Sequence, residues 1–274
     1  MSVAAATGLA AARCIGYTGR DKRNLLPRLY QVCPGLAIAA ALCRGRLCPD
    51  AKKGKPMQLL VCIIYLALAA AVVALRGRPA YPAAKALAGA GFCALAAVCA
   101  WQTGGSPWPW PLPAGFVLCA AGDVAMGLYN LRRRPAALLW GVGLFAGGHL
   151  CFLAGLWRRM RPTAGALAFA ALVAAVLAWL LHRRLLDMGR LGGCGAAYCF
   201  AVSLMAGQSA VLALAAPGTG TALFAAGAAL FWLSDLILLF LYFSPRRGGR
   251  ALHIANLTAY YGGMLLLALS MGRA

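Results

Sequence analysis

Two aspartates stand where an ionised carboxylate is costly. Asp123 in "AAGDVAMGLYNLRRRP" and Asp235 in "WLSDLILLFLYFSPRR" lie inside helix-length apolar runs. A charge at the centre of a membrane helix costs about 2.5–3.5 kcal/mol, so residues placed there usually face an internal cavity and serve a function. The same kind of run holds Lys85, His149, Tyr198, Tyr260 and Tyr261, with Ser203, Gln208, Ser234 and Asn256 completing the polar set. Two carboxylates in one low-dielectric cavity do not both ionise comfortably. One keeps its proton and the other stays anionic beside Lys85. An acid and a base in one cavity can protonate an acid-labile ether or acetal and deliver water to an oxocarbenium-like centre, as glycosidase carboxylates do. The same residue types suit the proton relay of a transporter. Each also has a plainer use: helix–helix bonding for the aspartates, snorkelling for Lys85, packing for His149 and the tyrosines.

Other chemistries have less behind them. The three histidines and eleven cysteines are not grouped at metal-ligand spacings, so no metal is expected. No GxSxG and no Gly-rich phosphate loop occurs. Asp187, in "RRLLDMGR", reads as a solvated loop charge.

The elements that must position these residues are membrane helices. Of 274 residues, 63% are hydrophobic and only 11% charged, where a soluble domain carries about a quarter charged residues. The net charge of +21 does not imply nucleic acid, because the basic residues fall in short clusters between apolar runs. A hydrocarbon core needs roughly 20 apolar residues per helix. Eight such spans emerge, at 57–75, 83–101, 113–130, 136–156, 163–181, 194–214, 222–243 and 252–271. The expected fold is an all-α, eight-helix membrane bundle, residues 57–274, in a bacterial-type cytoplasmic membrane. The "PWPW" stretch at 107–110 reads as an interfacial aromatic anchor. With side A defined by residue 57, side B receives eleven loop arginines and side A four, which puts side B in the cytoplasm.

Asp123 and Asp235 lie about five and eight residues from the B ends of their spans, roughly 8 and 12 Å inward. Lys85 sits near the B end of its own span. A repeat links them. Asp123 precedes His149 by 26 residues and Asp235 precedes Tyr261 by 26; Lys85 lies 38 before Asp123 and Tyr198 lies 37 before Asp235. A 4+4 duplication follows, with parallel units related by an axis along the membrane normal. Residues 1–56 carry ten basic residues and no run long enough to span. They read as a disordered basic extension, and Met57 is an alternative start of translation.

Together these stretches resemble the YhhN family, which includes the lysoplasmalogenases. The resemblance runs over about 57–270 and is carried by "AAKAL" with Lys85, "AAGDVAMGL" with Asp123, "GLFAGGHLCFLAG" with His149, "AAYCFAVSLM" with Tyr198, "ALFWLSDLIL" with Ser234 and Asp235, and "LTAYYGGMLLL" with Tyr260 and Tyr261. Two positions depart from the family pattern. Ala86 follows Lys85 where Pro is common, and Met264 falls near a position that commonly holds Gln. The resemblance implies an integral membrane hydrolase without cofactor. It would cleave the vinyl ether bond of lysoplasmalogen, a lysophospholipid drawn from the membrane lipids, to a fatty aldehyde and a glycerophospho-headgroup. It also implies that the aspartate pair is the catalytic centre, with Lys85, His149, Tyr198, Ser234, Tyr260 and Tyr261 orienting substrate or water. A proton-linked transporter or a non-enzymatic lipid-binding protein is the alternative.

Overall fold

The computed structural model describes residues 56–102, 108, 111–245 and 249–273. The basic extension expected at 1–56 lies outside them except for Pro56, which opens the first helix. The chain runs through α1 (Pro56–Ala74), α2 (Tyr81–Gln102), α3 (Leu112–Arg132), α4 (Pro135–Arg159), α5 (Ala164–His182), a single 3₁₀ turn (Gly189–Leu191), α6 (Gly192–Ala215), α7 (Thr219–Phe243) and α8 (Arg250–Ser270). All eight α-helices are long and apolar enough to cross a membrane, and the described residues hold no strand. The protein is thus a multi-pass membrane protein.

The breaks are made by the residues that cannot continue a helix. Between α3 and α4 only Arg133 and Arg134 intervene. Arg133 takes the left-handed conformation (φ 53°) and its N–H bonds Tyr129 O, while Pro135 starts α4 at the position where a missing N–H costs nothing. At the α4–α5 corner Gln208 of α6 does the fastening. Its Oε1 accepts from Thr163 N and Oγ1 (3.1 and 3.2 Å), and its Nε2 donates to Arg161 O (3.0 Å). Asp187 is exposed in the α5–α6 loop, as a solvated charge should be.

Packing follows small residues. α2 lies on α3, α3 on α4, α4 on α6, α6 on α7, α7 on α8, and α8 returns to α2, closing a ring of six. α1 leans on α2, and α5 on α6, from outside. Exchanging α1–α4 for α5–α8 leaves this order of neighbours unchanged. Gly115 meets Gly148 and Gly227 meets Gly263 so closely that a Cβ on Gly227 would stand 2.8 Å from the Gly263 carbonyl oxygen. The outer faces are apolar, with Leu60, Ile64, Trp101, Trp140, Leu172 and Trp179 exposed, the surface a bilayer solvates.

The A-side half of the ring is filled. Phe92, Phe116, Phe152 and Phe224 are fully buried and touch in series, at ring separations of 6.3, 5.2 and 6.3 Å. Trp108 closes this end. It is buried, stacks on Phe224 at 4.7 Å and donates to Ser270 O at 2.9 Å. The expected interfacial anchor is therefore, at Trp108, a plug inside the protein; Trp110 lies outside the described residues.

Candidate active site

Lys85, the two aspartates and the side chains that meet them gather toward the B side, whereas Gln208 and Ser270 hold A-side contacts. α3 extends to Arg132, nine residues past Asp123, and α7 ends eight residues past Asp235. Both carboxylates consequently lie roughly 12–13 Å inside their helix ends. Asp123 is deeper than its expected 8 Å: it stands seven residues before 130, the end of its expected span, and α3 continues two residues further.

Asp123 is fully buried and saturated. Its Oδ1 accepts from Lys85 Nζ at 2.5 Å; its Oδ2 accepts from the Tyr260 and Tyr261 hydroxyls at 3.0 and 3.3 Å. The local sequence explains the ion pair. A Cβ on Gly127 would stand 2.9 Å from Pro82 Cα, and one on Gly89 would stand 3.0 Å from Ala120 Cβ. Glycine at these two points lets α2 and α3 approach on either side of Lys85 and Asp123, one turn away in each case. A buried charge pair is tolerable only when its remaining hydrogen-bonding capacity is filled, and the two phenols fill it. Tyr65 of α1 supports them from behind, donating to Tyr261 O at 2.6 Å.

Asp235 has a different environment. Its side chain is 9% exposed, and its partners are neutral or switchable: the Tyr198 hydroxyl donates to Oδ2 at 2.8 Å, and His149 Nε2 lies 3.3 Å from the same oxygen. Tyr198 also touches His149 Nε2 at 3.3 Å. His149 is fully buried and its Nδ1 has no partner. A buried N–H without an acceptor is expensive, so the proton belongs on Nε2, where it faces Asp235 and Tyr198. Ser234 holds the neighbouring turn: Asn256 Nδ2 donates to Ser234 O at 2.7 Å and to Ser234 Oγ at 2.9 Å.

All eight singled-out residues thus fall into two linked clusters. Lys85, Asp123, Tyr260 and Tyr261 form one; His149, Tyr198 and Asp235 form the other, with Ser234 adjoining. The aspartates do not bond each other. They line one small chamber of about 50 Å³, together with Arg76, Tyr81, Asn130, Tyr242 and His253. Phe145 also lines it, and Phe231 packs beneath, 5.1 Å from the Tyr260 ring and 4.5 Å from His149. A second cavity of about 90 Å³ is apolar, walled by Leu138, Leu139 and Val142 of α4, Cys194 and Val202 of α6, and Leu236 and Leu239 of α7. The two cavities share Met126, Phe145, Asp235, Leu238 and Tyr242. Leu139 and Cys194 are exposed, so the apolar groove opens sideways toward lipid.

Sequence reasoning had Asn256 among the polar residues without a role. It had no role for Tyr65, Tyr81, Tyr242, Arg76 or His253. Asn256 and His253 stand four and seven residues before Tyr260, on one helix face, which is the signal that was available. Chemically, the arrangement offers a charge-compensated carboxylate, a second carboxylate reachable from both cavities, and a polar and an apolar compartment meeting at that second carboxylate.

No curated protein and no solved structure matches the chain. A family model does match it, over residues 80–271. The match is narrower than the expected 57–270: it takes in α2 to α8 and all eight singled-out residues but leaves out α1. On that match, the chain belongs to the YhhN family.

Proposed function

We propose that the protein is a lysoplasmalogenase-like hydrolase that adds water across the vinyl ether bond of a single-chain lipid. The observation that carries this reading is the junction at Asp235, where a polar chamber meets an apolar groove. A lysoplasmalogen has the same division, and its vinyl ether lies where headgroup joins chain. In this reading Asp235 donates its proton to the outer alkenyl carbon, and the C=C electron pair forms the new C–H bond. The resulting oxocarbenium is stabilised by the ionised Asp123, which the Lys85 ammonium holds in place. Asp235, now a carboxylate, takes a proton from the attacking water and regains its acid form. The hemiacetal then breaks its bond to the glycerol oxygen, which receives the hemiacetal hydroxyl proton, releasing a fatty aldehyde and the glycerophospho-headgroup. Tyr198 and His149 orient Asp235; Tyr260 and Tyr261 orient Asp123.

The correspondence of Lys85, Asp123 and Tyr261 with Tyr198, Asp235 and His149 also supports a duplicated four-helix origin. One half would have kept the ion pair and the other become the proton donor. The filled A-side half favours hydrolysis over proton-linked transport, which needs access from both faces. The test is aldehyde release from lysoplasmalogen by the purified protein. Aldehyde formed in proportion to protein, and absent with the saturated alkyl ether analogue, is expected. No aldehyde over a range of headgroups and chain lengths would overturn the reading.

A further inference from the structure

The chamber has a second pole that the bond-breaking step does not use. From the aspartates it runs past Ser234, Asn256 and Asn130 to Arg76 and His253. Arg76 is exposed, two residues beyond the end of α1, and His253 is half-buried in the first turn of α8. Arg133, the left-handed cap of α3, lies within electrostatic reach of His253, as does Arg76. Arg76 and His253, from two helix ends, thus line one opening, and Arg133, whose guanidinium lies over the Tyr129 ring, stands on the same side. Among the described residues, no carboxylate pairs with any of them. Lys85 also lines the chamber, but it is committed to Asp123.

The spacing suits a particular ligand. Along α8, His253 and Tyr260 are seven residues apart, a rise of roughly 10 Å. A pole holding the Arg76 guanidinium and the His253 imidazole, a short polar passage, the carboxylates and then an apolar groove describe an amphiphile with an anion, a small polar link and one chain. Arginine binds phosphate oxygens through paired N–H donors, and these charge-assisted bonds are stronger than neutral ones. We infer that Arg76 and His253, with Arg133 at the rim, form the subsite for the phosphate of a single-chain phospholipid, so that the protein selects phosphorylated over neutral glycerol ethers. The inference rests on the hydrolase reading for the identity of the chain-bearing ligand, yet it can be tested without turnover.

The test is ligand binding to the purified full chain in neutral detergent. The probes are a saturated alkyl lysophospholipid, the matching alkylglycerol without phosphate, and glycerophosphate without a chain. The phospholipid is expected to bind about tenfold more tightly than the alkylglycerol, equivalent to ~1.4 kcal/mol. Arg76→Gln and His253→Gln should each erode that ratio, the double variant should bring it close to one, and Arg76→Lys should keep part of it. Retained alkylglycerol binding shows that the variants are folded. Equal affinity of wild type for the two lipids, or equal weakening of both in the variants, overturns the subsite. Glycerophosphate competing as strongly as the phospholipid would overturn the lipid assignment in favour of a soluble phosphate ester. Should lysoplasmalogen go uncleaved while the phosphate preference persists and falls with Arg76→Gln, the hydrolase reading fails and the anion subsite stands.

Discussion

Asp123 and Asp235 are expected to fail differently when each is changed to Asn. Asp123→Asn removes the one anion that, among the described residues, pairs with the buried Lys85 ammonium. Breaking a buried pair by losing one partner costs about 3–5 kcal/mol, because the other charge is left uncompensated. Asp235→Asn removes no cation's partner. An amide oxygen at the same place can still accept from Tyr198 and His149, so the cost should stay near 1 kcal/mol. The rates should diverge from the stabilities. Losing a general acid lowers turnover by about 10²–10⁴, or roughly 2.7–5.4 kcal/mol in the barrier. The assay pairs thermal unfolding, followed by far-UV circular dichroism in detergent, with aldehyde release. Asp235→Asn should unfold close to wild type and turn over at least a hundredfold more slowly. Asp123→Asn should unfold early and also be inactive. The double change Lys85→Met with Asp123→Leu should recover most of the lost stability, since an apolar pair of similar volume often replaces a buried ion pair without penalty. Asp123→Asn unfolding with wild-type stability would refute the ion-pair reasoning. Wild-type turnover in Asp235→Asn would refute the proton-donor role.

Other consequences can be checked separately. Tyr198→Phe removes one of two donors to Asp235 while leaving the ring in place; turnover should fall by about tenfold, with a net stability change near 1 kcal/mol. Val142→Phe narrows the apolar groove, so kcat/KM measured over a series of chain lengths should shift toward shorter chains. Gly227→Ala pushes a methyl to 2.8 Å from the Gly263 carbonyl oxygen, and such overpacking costs about 1–3 kcal/mol. In Gly143→Ala nothing lies within 4 Å, so it should stabilise α4 by roughly 0.5–1 kcal/mol.

The helices were legible because hydrocarbon length and charged breaks leave little freedom: the eight expected spans each overlap one of α1 to α8. Boundaries moved where polar residues continue a helix. α3 takes in Arg132, since an arginine at the membrane surface snorkels instead of ending the helix. That Lys85 meets one of the two carboxylates was readable from sign and depth; that the partner is Asp123 came from the fold. The identity of Asp123's other partners was not, because Tyr260 and Tyr261 reach it across a helix contact whose closeness depends on glycines elsewhere. Trp108 was misread for a related reason. Aromatic residues between spans commonly sit among headgroups, but this one finds Phe224 and the Ser270 carbonyl. Arg76 and His253 looked like ordinary flanking charges until the fold gave them a common opening.

On the hydrolase reading, the meeting of two compartments at Asp235 has a consequence for what happens after scission. A molecule cut there yields halves that belong to different phases. The oily fragment can slip out between α4 and α6 into the leaflet, whereas the water-loving fragment departs past Arg76. On the hydrolase reading, recombination would demand that both return together, so the parting of the products adds to the driving force that carbonyl formation already supplies.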